Sequence, residues 1–219
     1  MDTTDEWIRQ RSGIVERRYV DPGVTTSDLA LAATQNALAK ASWQATDLDY
    51  IVVASQSPEH FFPGVASFLH RKLGLDTTPA MDVRCQCTGF IYALQMGHLL
   101  VAGGQYDRVL VAGAEVHSNG IDFSPRGRDT GVLFGDGAGV VLLEPSDDDE
   151  RGILSIHLHA QGEFAEKLWM DAPGLAHKPI IDAAMLAEGR QFPKMDGRFV
   201  FKNAVTRMPE AIAEALAFN

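Results

Sequence analysis

Two cysteines lie two residues apart, and the second stands where an apolar run gives way to a helix-length segment. Cys87 follows the run Ala80 to Val83 and directly precedes Thr88, where the helix-length segment begins. Free backbone N–H groups and the macrodipole at a helix start favour an anion, so this position favours the nucleophilic thiolate over the thiol. A nucleophile presented between a strand and a helix suits acyl transfer through a covalent intermediate.

Other interpretations of the two cysteines stay open. A free cysteine is most often a small buried hydrophobic residue, and Cys85, which the pattern places in mid-strand, is assigned that role. Residues two apart on an extended segment lie near the outer limit of disulfide geometry, so both thiols are expected to be free. The cysteine pair combined with His157 and His159 matches no common structural zinc spacing, so no metal site is predicted.

A second chemically suggestive pair lies near the start of the chain. Thr3 and Glu6 form a predicted capping box for a short helix that ends before Gly13. Trp7 and Arg11 are one helical turn apart, which places an indole and a guanidinium on the same face. The pair offers a stacking surface and a charged fork for a purine nucleotide, although an ordinary surface aromatic residue would fit the same pattern.

Short apolar runs alternate with helix-length segments around these residues. The run Tyr50 to Ala54 is too uniformly apolar for a half-exposed strand, which indicates a strand covered on both faces. The alternation predicts an α/β layered domain with a largely parallel sheet flanked by helices. The other predicted strands are Ala80 to Val83, Val109 to Ala112 and Val132 to Leu143, and the predicted helices are one capped by Thr25 or Ser27, then Val65 to Leu73 and Thr88 to Ala102.

Glycines 135, 137 and 139 fall inside the last of these strands and predict a close approach by another backbone. They do not form a phosphate loop, because the Gly-Lys-Ser/Thr ending is missing and the glycines lie within a strand. The acidic run Ser146 to Glu150 is predicted to be a solvated turn. The alternation from Gly152 to Ala160 predicts a strand with one polar face.

Residues 161–197 are predicted to form an irregular excursion that contacts substrate. A last helix is predicted from about Arg198 to Phe218, and Pro209 should kink or divide it. The chain shows no internal repeat and no low-complexity segment, so one domain over residues 1–219 is expected.

Composition excludes several classes of protein. At 219 residues, 46% hydrophobic and 22% charged, the chain can bury a core and is not disordered as a whole. The net charge of -10 opposes nonspecific binding to nucleic acid or to an anionic membrane. No apolar run approaches the roughly 18 residues of a spanning helix, and the start of the chain is acidic and polar. A cytoplasmic protein without nucleic-acid or membrane partners is therefore expected.

Taken together, the motifs resemble the N-terminal portion of β-ketoacyl-acyl carrier protein synthase III, a condensing enzyme of the thiolase fold. The similarity runs in order through nearly the whole chain. The matching stretches are Thr4 to Ile8, Arg11 to Ile14, Glu16 to Arg18, Ile51 to Ala54, Asp82-Val83, Cys87 to Phe90, Tyr92 to Leu94, Phe134 to Gly139, His157 to Ala160, Phe201-Lys202 and Ala204-Val205.

The resemblance implies roles for particular residues. It implies that Cys87 is the nucleophile, that Trp7 stacks on the adenine of coenzyme A, and that Arg11 and Arg128 lie near its phosphates. It implies that Phe62 reaches across a dimer to close the partner's acyl pocket. Without the resemblance, Arg128 could form a surface ion pair with Asp129, and Phe62 could be a core residue. The positions that match residues beside the coenzyme A tunnel are Met195 and Gly197.

The resemblance also implies an activity. It implies an acyltransferase that condenses an acyl-CoA starter with malonyl-acyl carrier protein through an acyl-cysteine, at the start of fatty acid biosynthesis. Acyl-CoA is then a substrate and no resident cofactor is expected; the partners are acyl carrier protein and a second copy in a homodimer. The family's His and Asn, from its C-terminal half, have no counterpart among residues 1–219, so the chain is expected to be truncated at both ends, with one half of the thiolase fold and the start of the second.

Two alternatives remain. The chain could be a truncated, non-catalytic subunit or binding partner of a homologous condensing enzyme. A thioesterase would use similar acyl-enzyme chemistry, but it needs a base and an activated water that the sequence does not display.

Overall fold

A computed structural model describes residues 1–148 and 151–219. The residues group into two compact units. The first, here called the sheet unit, comprises residues 19–116, 136–158 and 219. The second, here called the α7 unit, comprises residues 1–18, 117–135 and 159–218. The expectation of one domain over the whole chain stays a prediction.

The sheet unit is built on four strands in the order β2-β1-β3-β4. Strand β1 lies parallel to both β2 and β3, whereas β4 is antiparallel to β3. The largely parallel sheet predicted from the sequence is thus confirmed. The strands are β1 Tyr50–Ala54, β2 Ala80–Val83, β3 Val109–Glu115 and β4 Gly137–Leu143, and the helices are α2 Thr26–Ala41, α3 Val65–Lys72 and α4 Gly89–Ala102.

The centre of the sheet is covered on both faces, as the uniform apolar run of β1 predicts. Successive side chains of a strand point to opposite faces. Ile51 and Val53 pack with residues of α2 and α3, whereas Val52 packs on the other face with Ala93 of α4. All three β1 residues are fully buried. This burial anchors the carboxyl ends of the parallel strands, where Cys87 lies.

The α7 unit consists of helices around a two-stranded antiparallel pair. Its long helix α7 has no buried residue, and Phe201, Val205, Met208 and Ile212 are exposed along it at helical spacing. Residues 161–197 are more ordered than predicted, because they contain β5, α6 and β6. The elements are α1 Asp5–Ser12, α5 Arg128–Gly131, β5 Leu168–Trp169, α6 Ala183–Glu188, β6 Lys194–Met195 and α7 Gly197–Phe218.

One helix prediction was wrong in detail, and another was narrowed to one of its two alternatives. The N-cap of α1 is Thr4, whose hydroxyl oxygen accepts the N–H of Trp7 at 3.1 Å, so Thr3 does not cap the helix. Helix α7 runs through Pro209, which therefore does not divide it, and the alternative of a kink stays a prediction. The predicted cap of α2 is confirmed at Thr25, where Asp28 completes a capping box.

Two strand predictions were also wrong. Strand β4 begins at Gly137 rather than at Val132, because its pairing with β3 reaches only from Leu143 to Gly137, which lies opposite Glu115. The predicted close approach occurs at Gly135, where a Cβ would lie 3.3 Å from the carbonyl oxygen of Arg18, whereas Gly137 and Gly139 have open space. Residues 152–160 are not a strand; no described strand pairs with them.

The predicted turn Ser146 to Glu150 lies partly outside the described residues, since these do not include Asp149 and Glu150. No helix in the described part of the chain is both long and apolar enough to cross a membrane.

Candidate active site

Cys87 lies in the middle of a short 3₁₀ turn, Gln86–Thr88, that leads directly into α4. The cysteine is exposed. The residue before it, Gln86, has a φ of 46°, a left-handed conformation that non-glycine residues rarely adopt. Backbone strain of this kind persists only where surrounding structure imposes it, and it clusters at functional sites. The turn therefore presents the sulfur at the start of the helix, as the sequence predicts.

The ends of β1 and β2 support the turn that carries Cys87. Gly89, the first residue of α4, is buried, and a Cβ there would lie 3.6 Å from the Cβ of Ala54 at the end of β1. The N–H of Ser55 donates to the carbonyl oxygen of Val83 at 3.3 Å, which extends the β1–β2 pairing to the end of β2. Cys87 thus follows the carboxyl edge of parallel strands, where α/β folds commonly bind ligands.

Cys85 does not lie in mid-strand, which corrects the sequence-based assignment. Pairing of β1 with β2 ends at Ala54 and Val83, so the chain leaves the sheet before Cys85. Cys85 is the N-cap of the 3₁₀ turn and is only partly buried. Its carbonyl oxygen accepts the hydroxyl of Thr88 at 3.1 Å, which closes the turn around Cys87. Both cysteines are free thiols, as predicted.

Sequence reasoning did not identify Glu115, at the end of β3. Its carboxylate accepts the N–H of Gln56 at 3.0 Å and the hydroxyl of Ser57 at 2.5 Å. The Ser57 hydroxyl oxygen in turn accepts the N–H of Val116 at 2.9 Å. Glu115 thereby holds the loop after β1 at the edge where Cys87 lies. A carboxylate at the end of a buried apolar strand was the available signal.

Asp82 was also missed as a functional candidate. Its Oδ1 accepts the N–H of Ala66 at 3.0 Å, in the first turn of α3. The pKa of Asp82 is raised, chiefly because neighbouring atoms remove water from part of its carboxylate, with a smaller contribution from the charge of Glu59. The carboxylate joins β2 to the helix that follows the Phe62 loop.

Phe62 is not a core residue, which removes one of the two interpretations of it. The residue is 85% exposed in the single chain. A residue of this size that is left exposed is available to a partner surface. The predicted contact with a second copy stays a prediction.

Trp7 carries two guanidinium groups in the α7 unit. The Cζ of Arg11 lies 4.5 Å from the centre of the indole, and the Cζ of Arg128 lies 4.3 Å from it. Arg128 begins α5, and its Nε is buried without a hydrogen-bond partner among the described residues. The structure thus brings together all three residues that the resemblance assigns to coenzyme A. Two adjacent cations favour a phosphate-bearing ligand.

Met195 and Gly197 also meet in the α7 unit, where a Cβ on Gly197 would lie 3.5 Å from the Cε of Met195. Met195 lines a cleft together with Thr130 of α5 and Phe192. Arg126 borders this cleft; its Nε pairs with Oδ2 of Asp122 at 2.6 Å. The cleft is therefore lined by the same helix, α5, that begins at Arg128.

Within residues 1–148 and 151–219, no group of three or more His, Cys, Asp or Glu side chains is placed to hold a metal ion. Cys87 and Phe62 belong to the sheet unit, and the other predicted site residues belong to the α7 unit.

The chain is similar to known proteins along its whole length. Residues 81–162 match the family model for 3-oxoacyl-[acyl-carrier-protein (ACP)] synthase III. A β-ketoacyl-[acyl-carrier-protein] synthase III of Rhodospirillum rubrum is 43% identical, over 100% of this chain and 65% of the relative. A crystal structure of the Thermus thermophilus synthase III aligns with 99% of the chain and 64% of that structure, at a TM-score of 0.86 and 36% identity.

The similarity extends to a polyketide system. The priming β-ketosynthase of the R1128 polyketide biosynthetic pathway aligns with 98% of the chain and 61% of that structure, at a TM-score of 0.83 and 30% identity. The chain spans about two thirds of the length of the relatives it matches, 65% for the R. rubrum protein. The fold around Cys87 is therefore shared with condensing enzymes.

Proposed function

Because the chain belongs to the 3-oxoacyl-[acyl-carrier-protein] synthase III family, we propose that its protein is an acyltransferase that condenses an acyl-CoA starter with malonyl-acyl carrier protein. The observation that carries the proposal is the exposed Cys87 on a strained turn at a helix start. The proposed reaction starts fatty acid biosynthesis.

In the first half-reaction, the Cys87 thiolate attacks the carbonyl carbon of the acyl-CoA thioester. The tetrahedral intermediate collapses, the bond from the carbonyl carbon to the coenzyme A sulfur breaks, and coenzyme A leaves as a thiolate that takes up a proton. The product is an acyl-cysteine thioester. The start of α4 favours the anionic sulfur before attack.

In the second half-reaction, malonyl-acyl carrier protein loses carbon dioxide and forms a carbanion. The carbanion attacks the carbonyl carbon of the acyl-cysteine, a carbon–carbon bond forms, and the Cys87 thiolate is released. The product is a β-ketoacyl group on the carrier protein. The protein needs no resident cofactor for either step.

The remaining site residues contact the substrates. Trp7 supplies a stacking face for the adenine, and Arg11 and Arg128 supply charge for the phosphates. Met195 and Gly197 lie beside the tunnel that holds coenzyme A. Phe62 closes the acyl pocket of a second copy, so the active form is a homodimer. We place this homodimer in the cytoplasm.

A mass measurement tests the function. Protein incubated with acetyl-CoA should gain one acyl group on the peptide that follows Arg84. Trypsin leaves both cysteines in that peptide, so variants must assign the thiol. We expect Cys85→Ser to retain acylation and Cys87→Ser to abolish it.

No acyl mass on the wild-type protein would overturn the proposal, and so would acylation that survives Cys87→Ser. Steady consumption of acyl-CoA without a malonyl acceptor would instead identify a thioesterase.

A further inference from the structure

The side chain of Asp82 connects the two segments on which acyl-chain selection would depend. The residue lies on β2, five positions before Cys87. We propose that Asp82 is a positioning residue whose carboxylate sets the loop His60 to Gly64, which carries Phe62, relative to the turn that carries Cys87. This inference rests on the proposed function, in which Cys87 takes the acyl group and Phe62 borders an acyl pocket.

The backbone of Asp82 is held in place by the sheet. It pairs with Val53 of β1, which is fully buried. The next residue, Val83, accepts the N–H of Ser55 through its carbonyl oxygen at 3.3 Å. Asp82 itself is exposed, so its short side chain is held by this fixed backbone and by its hydrogen bond to Ala66 rather than by burial.

The carboxylate of Asp82 contacts the first turn of α3. Its Oδ1 accepts the N–H of Ala66 at 3.0 Å, and so satisfies one of the unpaired donors of the first helical turn. Gly64 is the N-cap of this helix. A Cβ at this position would clash with the carboxylate of Asp82, because it would lie 2.2 Å from Oδ2. Glycine is therefore required at 64 so that the carboxylate can reach the helix.

The loop follows the helix that Asp82 holds. Phe62 lies two residues before Gly64. At the other end of the loop, the ring of His60 packs against Phe68 of α3, with 5.5 Å between ring centres. Both ends of the loop are thus attached to α3, and displacement of α3 would move Phe62.

The electrostatics support a positional role. The raised pKa of Asp82 shows that folding makes this carboxyl harder to ionise. Ionisation of Asp82 therefore does not stabilise the folded state. The hydrogen bond to α3 and the exclusion of a side chain at Gly64 explain the residue better than general stabilisation does.

The test compares the second-order rate constants for acylation of Cys87 by acetyl-CoA and by octanoyl-CoA. We expect Asp82→Ala to change the ratio of the two constants about tenfold, because a shift of about 1 Å near a reacting group can change rates by up to about 100-fold. Asp82→Asn, which keeps one acceptor oxygen, should give an intermediate ratio. The matched control is Asp76→Ala, at an exposed aspartate of the same unit, which should leave the ratio unchanged.

A second variant tests the same contact from the loop side. Gly64→Ala should change the ratio because its Cβ displaces the carboxylate. Gly64→Ala combined with Asp82→Ala should behave like Asp82→Ala alone, since residues in contact are not additive.

The outcomes separate the two proposals. A wild-type protein that is acylated on Cys87, with Asp82 and Gly64 variants that keep the wild-type ratio, overturns the inference and leaves the proposed function standing. If the variants slow acylation by acetyl-CoA and by octanoyl-CoA equally, the inference is also overturned, because a purely structural defect would slow both reactions alike. A wild-type protein that is never acylated defeats the proposed function, and the inference with it.

Discussion

At the scale of single residues, Trp7 gathers two cations at one aromatic ring. The Cζ atoms of two guanidinium groups lie within 4.5 Å of the centre of one indole, and two positive charges gathered at one ring repel each other. Cation–π attraction to the ring offsets part of this repulsion. The buried Nε of Arg128, without a partner among the described residues, adds a desolvation cost. A bound anion would relieve both, which favours a ligand site over a structural stack.

Removal of this cluster should weaken coenzyme A binding. Base stacking on an aromatic residue contributes about 1–3 kcal/mol, so Trp7→Ala should raise the Kd of coenzyme A about tenfold. Arg128→Ala should have a similar effect that diminishes at high salt. Isothermal titration calorimetry measures both. The matched control is Arg108→Ala, which removes a guanidinium 4.9 Å from Trp43 in the sheet unit; a Kd raised equally by this control would contradict the assignment.

At the scale of elements, α4 must lie close to the sheet in order to present Cys87. Gly97 marks the point of closest approach, because a Cβ there would lie 2.7 Å from Cγ2 of Val111 and 2.9 Å from Cδ1 of Leu143. The helix is apolar through most of its length and packs its small residues, Ala93 and Gly97, against the strands. Backbone proximity here, rather than helix propensity, explains a glycine in mid-helix.

Gly97→Ala should destabilise the protein. Alanine would gain about 1 kcal/mol of helix propensity, but overpacking of a close interface costs about 1–3 kcal/mol. The expected net effect is a lower urea midpoint with an unchanged m-value. Gly89→Ala is the control on the same helix, since its Cβ would meet Ala54 at an ordinary 3.6 Å. If both variants were equally stable, the close approach at Gly97 would be disproved.

At the scale of the whole molecule, the carboxylates determine the response to acid. Among the described residues, folding lowers the pKa of six carboxylates through hydrogen bonds and ion pairs and raises that of Asp82. Lys72 and Thr25 lower the pKa of Asp28 to about 2, and Arg190 and His177 lower that of Asp171. The other four lowered groups are Glu16, Glu59, Asp122 and Asp196.

The sign of the pH dependence follows from these shifts. A lowered pKa in the folded state stabilises above the unfolded pKa and is lost as pH falls through the folded value. Among the described residues the lowered groups outweigh the raised one, so stability should fall between about pH 5 and pH 2, by about 1.4 kcal/mol per pH unit for each extra proton bound by the unfolded state. Urea unfolding at several pH values measures this slope.

Asp28→Asn isolates one contribution to this response. The variant should be less stable than the wild type at about pH 5, by about 1 kcal/mol once solvent screening of this partly exposed pair is allowed for. The difference should shrink as the pH approaches 3, where Asp28 of the unfolded wild type is protonated. A difference that is constant with pH would show that the Lys72 pair does not titrate in this way.

The sequence by itself predicted most elements of the sheet unit and a candidate nucleophile, Cys87. Apolar runs with flanking helix signals predicted β1 and β2 with their observed bounds, because strands buried on both faces must be apolar throughout. The position of Cys87 at the start of a helix could be predicted because it depends on a local strand-to-helix junction. The pair Trp7 and Arg11 could be identified because helical spacing alone brings the two side chains together.

Only the tertiary structure decided the contacts between distant parts of the chain. The approach of Arg128 to Trp7, of Asp82 to Gly64 and of Glu115 to Ser57 depends on how elements pack, which no local pattern specifies. The alternation at residues 152–160 failed as a strand prediction for the same physical reason. A strand exists only where a neighbouring backbone accepts and donates its hydrogen bonds, and periodicity cannot supply that neighbour.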